Sequence, residues 1–487
     1  MTFTSTLFIF LFLPITLILY YSIRGKARDY LLLLASLLFY TFGEPKMVFL
    51  LIGSIAINYS LCLLFKYCNT SIKRNLLIIV LLLWNLGLLF HYKYLSFFTS
   101  TVNGLFHTSF AVGNVALPLG ISFFTFRAIS YCLNVFWEMT SAQTNPLNLA
   151  LYISFFPQVS MGPITDYRDF EPQFGNRELE FDNIISGVKR IIIGLFKKLV
   201  IANGIGPMVD AVFISGSSGR SVVSAWLGII GYLIQLYYDF SGYSDIAIGI
   251  GNLFGFRTPE NFNYPYASRN VTEYWSRWHI TLGKWLNNYI YTPLFRTLQT
   301  RGKSRTLCDF IALLATWLFS GFWHGAAWHY VVFGLYYFVF IAIEHKVTEL
   351  KKKRRKRLGL KKTPATPLES FLSHFYFFIV LLFGQLLFRI EHLSDFVPYF
   401  SNMFGILGNG FFDAKAGYYL TENWILLLCG LIFCFPLVPH LKRILSSYAA
   451  VEKAIPIFST AMYILLALVS ISYAFSDSYQ SFIYFQF

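Results

Sequence analysis

Histidine titrates closest to neutral pH, so a histidine set among apolar residues is the first place to look for proton-transfer chemistry. Of the nine in this sequence, two stand out. His324 lies in FSGFWHGAAWHY, between Trp323 and Gly325, inside the apolar block Phe310–Ile343. An ionisable group there is costly and marks a functional position by default; the rival reading is a core or interfacial imidazole satisfied by its neighbours. Gly325 and the two alanines after it remove bulk beside the ring, so a substrate can approach closely. His279 sits between Trp278 and Ile280 and is the weaker candidate when taken alone. A third group is DFSGYSDIAIGIG, which sets Asp239, Ser241, Tyr243 and Asp245 in a largely apolar run. Two carboxylates there require a wet cavity or buried partners, of which Arg127 in LPLGISFFTFRAISY is a candidate. Helix-locking ion pairs are the plainer alternative.

Other chemistries leave no trace. No hydrolase nucleophile elbow, phosphate-binding loop, zincin or kinase signature occurs. The glycines near Gly249–Gly255 lack a following acidic ribose ligand and read as close helix packing. The six cysteines form no CxxC pair and lie in or beside apolar runs, which makes them buried small hydrophobes. No metal-ligand cluster is visible.

The elements that must position these residues follow from composition. Of 487 residues, 56% are hydrophobic, 20% aromatic and 13% charged. A soluble domain carries roughly 25% charged residues, so this chain cannot cover a water-soluble globule. It reads as an all-α polytopic membrane protein with ten to twelve membrane segments. Met1–Ile23 holds no charge and is long enough to cross the bilayer, so it is expected as the first span rather than a signal peptide. Arg24, Lys26 and Arg28 then place its end in the cytoplasm. Further spans are expected at Tyr30–Gly43, Met47–Phe65, from Leu76, and at Ile184–Phe213, Val222–Leu253, Phe310–Ile343, Phe371–Phe388, Trp424–Leu437 and Ile455–Ala474. Lys189, Arg190, Lys197 and Lys198 read as a cytoplasmic basic edge. Pro118, Gly120, Pro157, Gly162 and Pro163 break two apolar regions, which is tolerated at membrane depth only beside protein or a watery cavity.

The net charge is +15, and KKKRRKRLGLKK at Lys351–Lys362 supplies nine positive residues. Flanked by apolar blocks, this run is a cytoplasmic loop under the positive-inside rule, with anionic lipid as a secondary partner and nucleic acid excluded. The block Asn261–Arg296 is too polar to span lipid and too aromatic for a free loop. It is expected to be helical in part and to enter the protein, although an amphipathic helix in the headgroup layer is the simpler alternative.

The stretches SFFPQVSMGPITDYRDFEPQF, DFSGYSDIAIGIGNLFGF, NFNYPY, EYWSRWHITLGKWLNNYIYTPL, GFWHGAAWHYVVFGLYY and the closing FIYFQF resemble the bacterial branch of the membrane-bound O-acyltransferase (MBOAT) family. Within it they are most similar to alginate O-acetyltransferases and relatives acting on other exported polysaccharides or peptidoglycan. The resemblance runs from about Leu117 to the C-terminus. It implies the family's fold, with re-entrant elements around a central cavity, in one integral-membrane domain: N-terminal helices (1–116), catalytic core (117–345), basic loop (346–370) and C-terminal helices (371–487). The family's invariant histidine falls on His324 and its second functional position on His279. The implied reaction is acyl transfer from a cytoplasmic thioester, acetyl-CoA or an acyl carrier, towards an acceptor outside, with no bound cofactor or metal. His324 would be the base, and His279 would orient the acceptor, polarise the thioester carbonyl or stabilise the oxyanion. Trp275, Trp278 and Trp323 would shape a water-poor tunnel, with Arg277, Asp239, Ser241 and Tyr243 as further substrate-binding candidates. The expected partner is an extracytoplasmic SGNH-type acetyltransferase or an acceptor-presenting protein, and the expected place is the inner membrane of a bacterium. D-alanyl transfer to a teichoic-acid-like polymer and a proton-relaying transporter or flippase are the alternatives. Departures from the family pattern at Arg127, Asn134 and Thr292–Arg296 bear on substrate and partner, not on reaction class.

Overall fold

The computed structural model describes residues 1–113, 115–175, 177–216, 219–361, 364–476 and 479. Lys362 and the closing FIYFQF lie outside the described residues. Among those described, regular structure is helical throughout. Among the described residues eight helices are long and apolar enough to cross a membrane, and two shorter apolar helices accompany them. The chain is a multi-pass, all-α membrane protein.

Contacts divide it into two compact units, Met1–Leu195 with Tyr243–Glu260, and Phe196–Gly242 with Asn261–Phe487. The first unit holds α1 (Phe8–Ser22), α2 (Ala27–Gly43), α3 (Val48–Tyr67), α4 (Ser71–Phe106), α5 (Ile121–Phe136), α6 (Pro146–Ser154) and α7 (Phe181–Leu195). The expected first span is shorter than Met1–Ile23, because Phe3 is drawn into the core, stacked 4.8 Å from Tyr243. Arg177 pairs with Asp29 at 2.6 Å, both buried. Arg127 does not serve either carboxylate of the DFSGYSD run. Its guanidinium lies over the Tyr152 ring at 4.3 Å and the Phe170 ring at 5.5 Å, and Asp245 is held instead by Arg190 at 2.9 Å.

In the second unit a π-helical turn, Phe196–Ala202, leads into α8 (Asn203–Ile214). It buries Lys198 against Asp239, while Lys189 of the same expected basic edge is exposed. α9 (Val222–Leu253) contributes to both units. The block Asn261–Arg296 forms α10 (Val271–Arg277), α11 (Ile280–Leu286), a π turn at Asn287–Tyr291 and the start of α12 (Thr292–Thr300).

The expected single block Phe310–Ile343 is two helices, α13 (Arg305–His324) and α14 (Trp328–Arg357). They cross closely because both carry glycine at the crossing. A Cβ on Gly321 would stand 2.5 Å from the Tyr330 carbonyl oxygen, and one on Gly334 would meet that of Trp317. α14 continues through Lys351–Arg357, so the expected basic loop is largely helix. Lysine and arginine are good helix formers and suit a helix C-terminus. It stops at Gly359, whose φ of +64° favours glycine. α15 (Pro367–Arg389) opens with a capping box between Thr366 and Glu369. α16 (Phe396–Met403), α17 (Ala414–Phe433), α18 (Leu437–Leu445) and α19 (Ala449–Ser476) complete the unit.

Candidate active site

His324 is the last residue of α13 and is 2% exposed. The break after it places the imidazole among rings from three helices. Its centroid is 4.7 Å from Trp323, 5.4 Å from Phe333 of α14 and 5.0 Å from Phe388 of α15. The space beside Gly325 is not left for a substrate, as the sequence suggested. A Cβ there would collide with the Tyr330 ring, which packs on Phe388 at 5.2 Å. Glycine at 325 admits the Tyr330 ring next to the residue that follows His324.

His279 reaches the same cluster from the Asn261–Arg296 block, which enters the protein as expected. It stands between α10 and α11, with φ +44° and ψ +53° in the left-handed region, and is 2% exposed. Such a backbone costs a non-glycine residue roughly 1 kcal/mol or more, although histidine tolerates it better than most. Asn261 holds it from both sides. Its carbonyl oxygen accepts from Ile280 N–H at 2.9 Å, and its Oδ1 lies 3.1 Å from His279 Nδ1 while accepting from Thr281 N–H at 3.2 Å and the Thr281 hydroxyl at 2.9 Å. Burial pushes the imidazole well below its usual titration range, towards the neutral form. Nε2 is buried with no hydrogen-bond partner among the described residues.

The element that carries His279 is tied to the one that follows His324. Glu344 of α14 accepts from Val271 N–H at 2.8 Å and Thr272 N–H at 2.9 Å, capping the N-terminus of α10 with a negative charge. The two imidazoles meet on one indole. Trp323 is 5.8 Å from His279 and 4.7 Å from His324, so the rings are at most the sum of those distances apart. His279 also meets Phe240 of α9 in an edge-to-face contact, with ring centroids 4.7 Å apart.

The remaining candidates divide. Trp275 packs on Trp317 and Tyr337, each at 4.9 Å, and Trp278 on Phe262 at 5.0 Å and Tyr274 at 5.6 Å. Trp278 is buried and Trp275 half-buried within this aromatic cluster. Ser241 follows Phe240, and its buried Oγ has no hydrogen-bond partner among the described residues. Asp239 is taken up by Lys198, both side chains 2% exposed. Arg277 is partly exposed and bonded to Glu273 at 2.7 Å. Tyr243 belongs to the first unit, where its hydroxyl bonds to Ser160. Among the described residues no group of three or more histidine, cysteine and carboxylate side chains is placed to hold a metal ion. Sequence reasoning missed Asn261, Lys198, Glu344 and Tyr330. Asn261 stood inside the quoted NFNYPY stretch, but nothing in sequence pairs it with a histidine eighteen positions on.

A family model described as MBOAT, membrane-bound O-acyltransferase family, matches residues 59–355, a stretch that includes both histidines. The chain is 35% identical over 401 residues to a probable alginate O-acetylase of Azotobacter vinelandii, covering 81% of this chain and 76% of the relative. It is 35% identical over 383 residues to a peptidoglycan O-acetyltransferase of Helicobacter pylori, covering 72% of each. It is 30% identical over 248 residues to a teichoic acid D-alanyltransferase of Bacillus subtilis, covering 49% of this chain and 62% of the relative.

Proposed function

Because the chain belongs to the membrane-bound O-acyltransferase family, we propose that this O-acyltransferase takes an acetyl group from a cytoplasmic thioester, acetyl-CoA, for O-acetylation of an exported cell-surface polysaccharide. The observation that carries the reading is the buried meeting of His279 and His324 on Trp323. The relatives named for O-acetylation match over most of the chain, which supports acetyl over D-alanyl transfer. The membrane is the inner membrane of a bacterium.

A hydroxyl must lose its proton as it attacks the thioester carbonyl. Neutral imidazole, with an ordinary pKa of about 6.5, is matched to that task near neutral pH. His324 takes the proton, a C–O bond forms, and the carbonyl oxygen becomes negative. As the carbonyl re-forms the C–S bond breaks, and the departing thiolate recovers the proton as free thiol. The thioester is already activated, so the protein has to position it and keep water out. Trp275, Trp278 and Trp323 supply the dry surroundings. The acceptor is a sugar hydroxyl or the serine of an extracytoplasmic SGNH-type transferase that passes the group on.

The test is a deletion strain assayed for base-labile acetyl esters on its surface glycans, complemented with the intact protein or with His324→Ala at matched level. Esters should vanish on deletion and return only with the intact protein. Esters unchanged by deletion would refute the proposal, and loss of ester-linked D-alanine instead would select D-alanyl transfer.

A further inference from the structure

We infer that Asn261 is a positioning residue that fixes His279 as the Nδ1–H tautomer, so that Nε2 is presented as the acceptor of a substrate hydroxyl's hydrogen. The substrate part rests on the acyl-transfer reading; the tautomer does not.

One amide decides the tautomer. Thr281 N–H can only donate, and it meets the side chain of Asn261 at 3.2 Å. The atom it meets must therefore be the amide oxygen, which settles the orientation of the Asn261 side chain by chemistry. The same oxygen lies 3.1 Å from His279 Nδ1. An amide oxygen cannot donate, so Nδ1 carries the hydrogen. A neutral imidazole has a single N–H, and Nε2 is left with a lone pair. That lone pair is buried, without a hydrogen-bond partner among the described residues, in the cluster that also holds His324. Backbone geometry reinforces the lock. Asn261 accepts from Ile280 N–H through its own carbonyl, so it grips the chain just after a histidine held at φ +44°.

The consequence is a choice among roles. A lone pair cannot donate to the acyl oxygen, so His279 in this state does not stabilise the oxyanion. It receives a hydrogen bond, and the hydroxyl of the acyl acceptor is the group that brings one. A sugar offers several hydroxyls, so His279 can hold a neighbouring hydroxyl while His324 deprotonates the attacking one. The thioester carbonyl has no hydrogen to give and is excluded from Nε2.

Two measurements test this. Nitrogen-15 spectra of histidine-labelled protein in nanodiscs, with His279 assigned by the signal missing in His279→Asn, should show neutral Nδ1–H at pH 7. An Nε2–H tautomer or an imidazolium would overturn the inference, and neither result depends on what substrate the enzyme uses. The second is the pH profile of transfer in Asn261→Asp and Asn261→Leu. Aspartate keeps every acceptor contact and stabilises the imidazolium, so Nε2 loses its lone pair at a higher pH. Activity should persist at alkaline pH with the acid limb displaced upward. Leucine should cost at least about 10-fold, with the His279 signal no longer purely Nδ1–H. A profile for Asn261→Asp that superimposes on that of the parent would make Asn261 a packing residue only. If the intact protein transferred no acetyl group, the acyl-transfer reading would fail while the tautomer measurement still stood.

Discussion

His324→Ala leaves a cavity, so its effect must be separated from loss of packing. Removing a general base should lower transfer by about 10²–10⁴-fold at matched protein level, and His279→Ala should also impair it. The choice of control follows from the geometry. His329 is unsuitable, since its ring lies 4.0 Å from Tyr330, whose ring fills the space at Gly325 beside His324. His345 is better, because it is partly exposed and bonded through Nδ1 to Asp309 at 3.2 Å. His345→Ala should retain transfer in an assay of surface acetyl esters. Near-normal esters with His324→Ala would remove it from the chemistry.

At the scale of elements, the hairpin of α13 and α14 sets where His324 points. Its two glycines face backbone carbonyls, which cannot turn aside as a side chain can. Gly334→Ala should therefore force the helices apart, at a cost of about 1–3 kcal/mol, and shift His324 relative to Phe333 of α14. The expected outcome is a lower unfolding temperature in detergent together with reduced transfer; unchanged values for both would show that the crossing has room for a methyl group. This hairpin also marks the limit of what the sequence discloses. The apolar run Phe310–Ile343 has no proline and reads as one span, while the turn after His324 depends on Tyr330 lying over Gly325, a contact within three dimensions only. His279 and His324 were legible as ionisable groups among tryptophans, because an imidazole in apolar surroundings is conspicuous by type. Their partners were not, because Asn261, Glu344 and Tyr330 are ordinary residues until the fold brings them close. The partner of Lys198 was hidden for the same reason: only the fold sets Asp239 against it.

For the whole molecule, the question is which side of the membrane the donor comes from. α14 is 30 residues long, about 45 Å, and the hydrocarbon core is about 30 Å thick. Its last turns must therefore emerge, and those turns are the basic run from Lys351 to Arg357. The start of α13 lies beside Arg301, Lys303 and Arg305. An antiparallel hairpin puts both basic ends on one face, and the positive-inside rule assigns that face to the cytoplasm. His324 closes the other end, 20 residues or about 30 Å along α13. On the proposed reading, a donor entering from the cytoplasm has to bring its thioester to that depth before transfer. The arrangement stands or falls on orientation. Lys353→Cys should resist a membrane-impermeant maleimide in intact cells and react once the cells are opened. Ready labelling from outside would invert the hairpin, place His324 near the cytoplasm, and leave the acetyl group to be carried outward by the acceptor rather than by the donor.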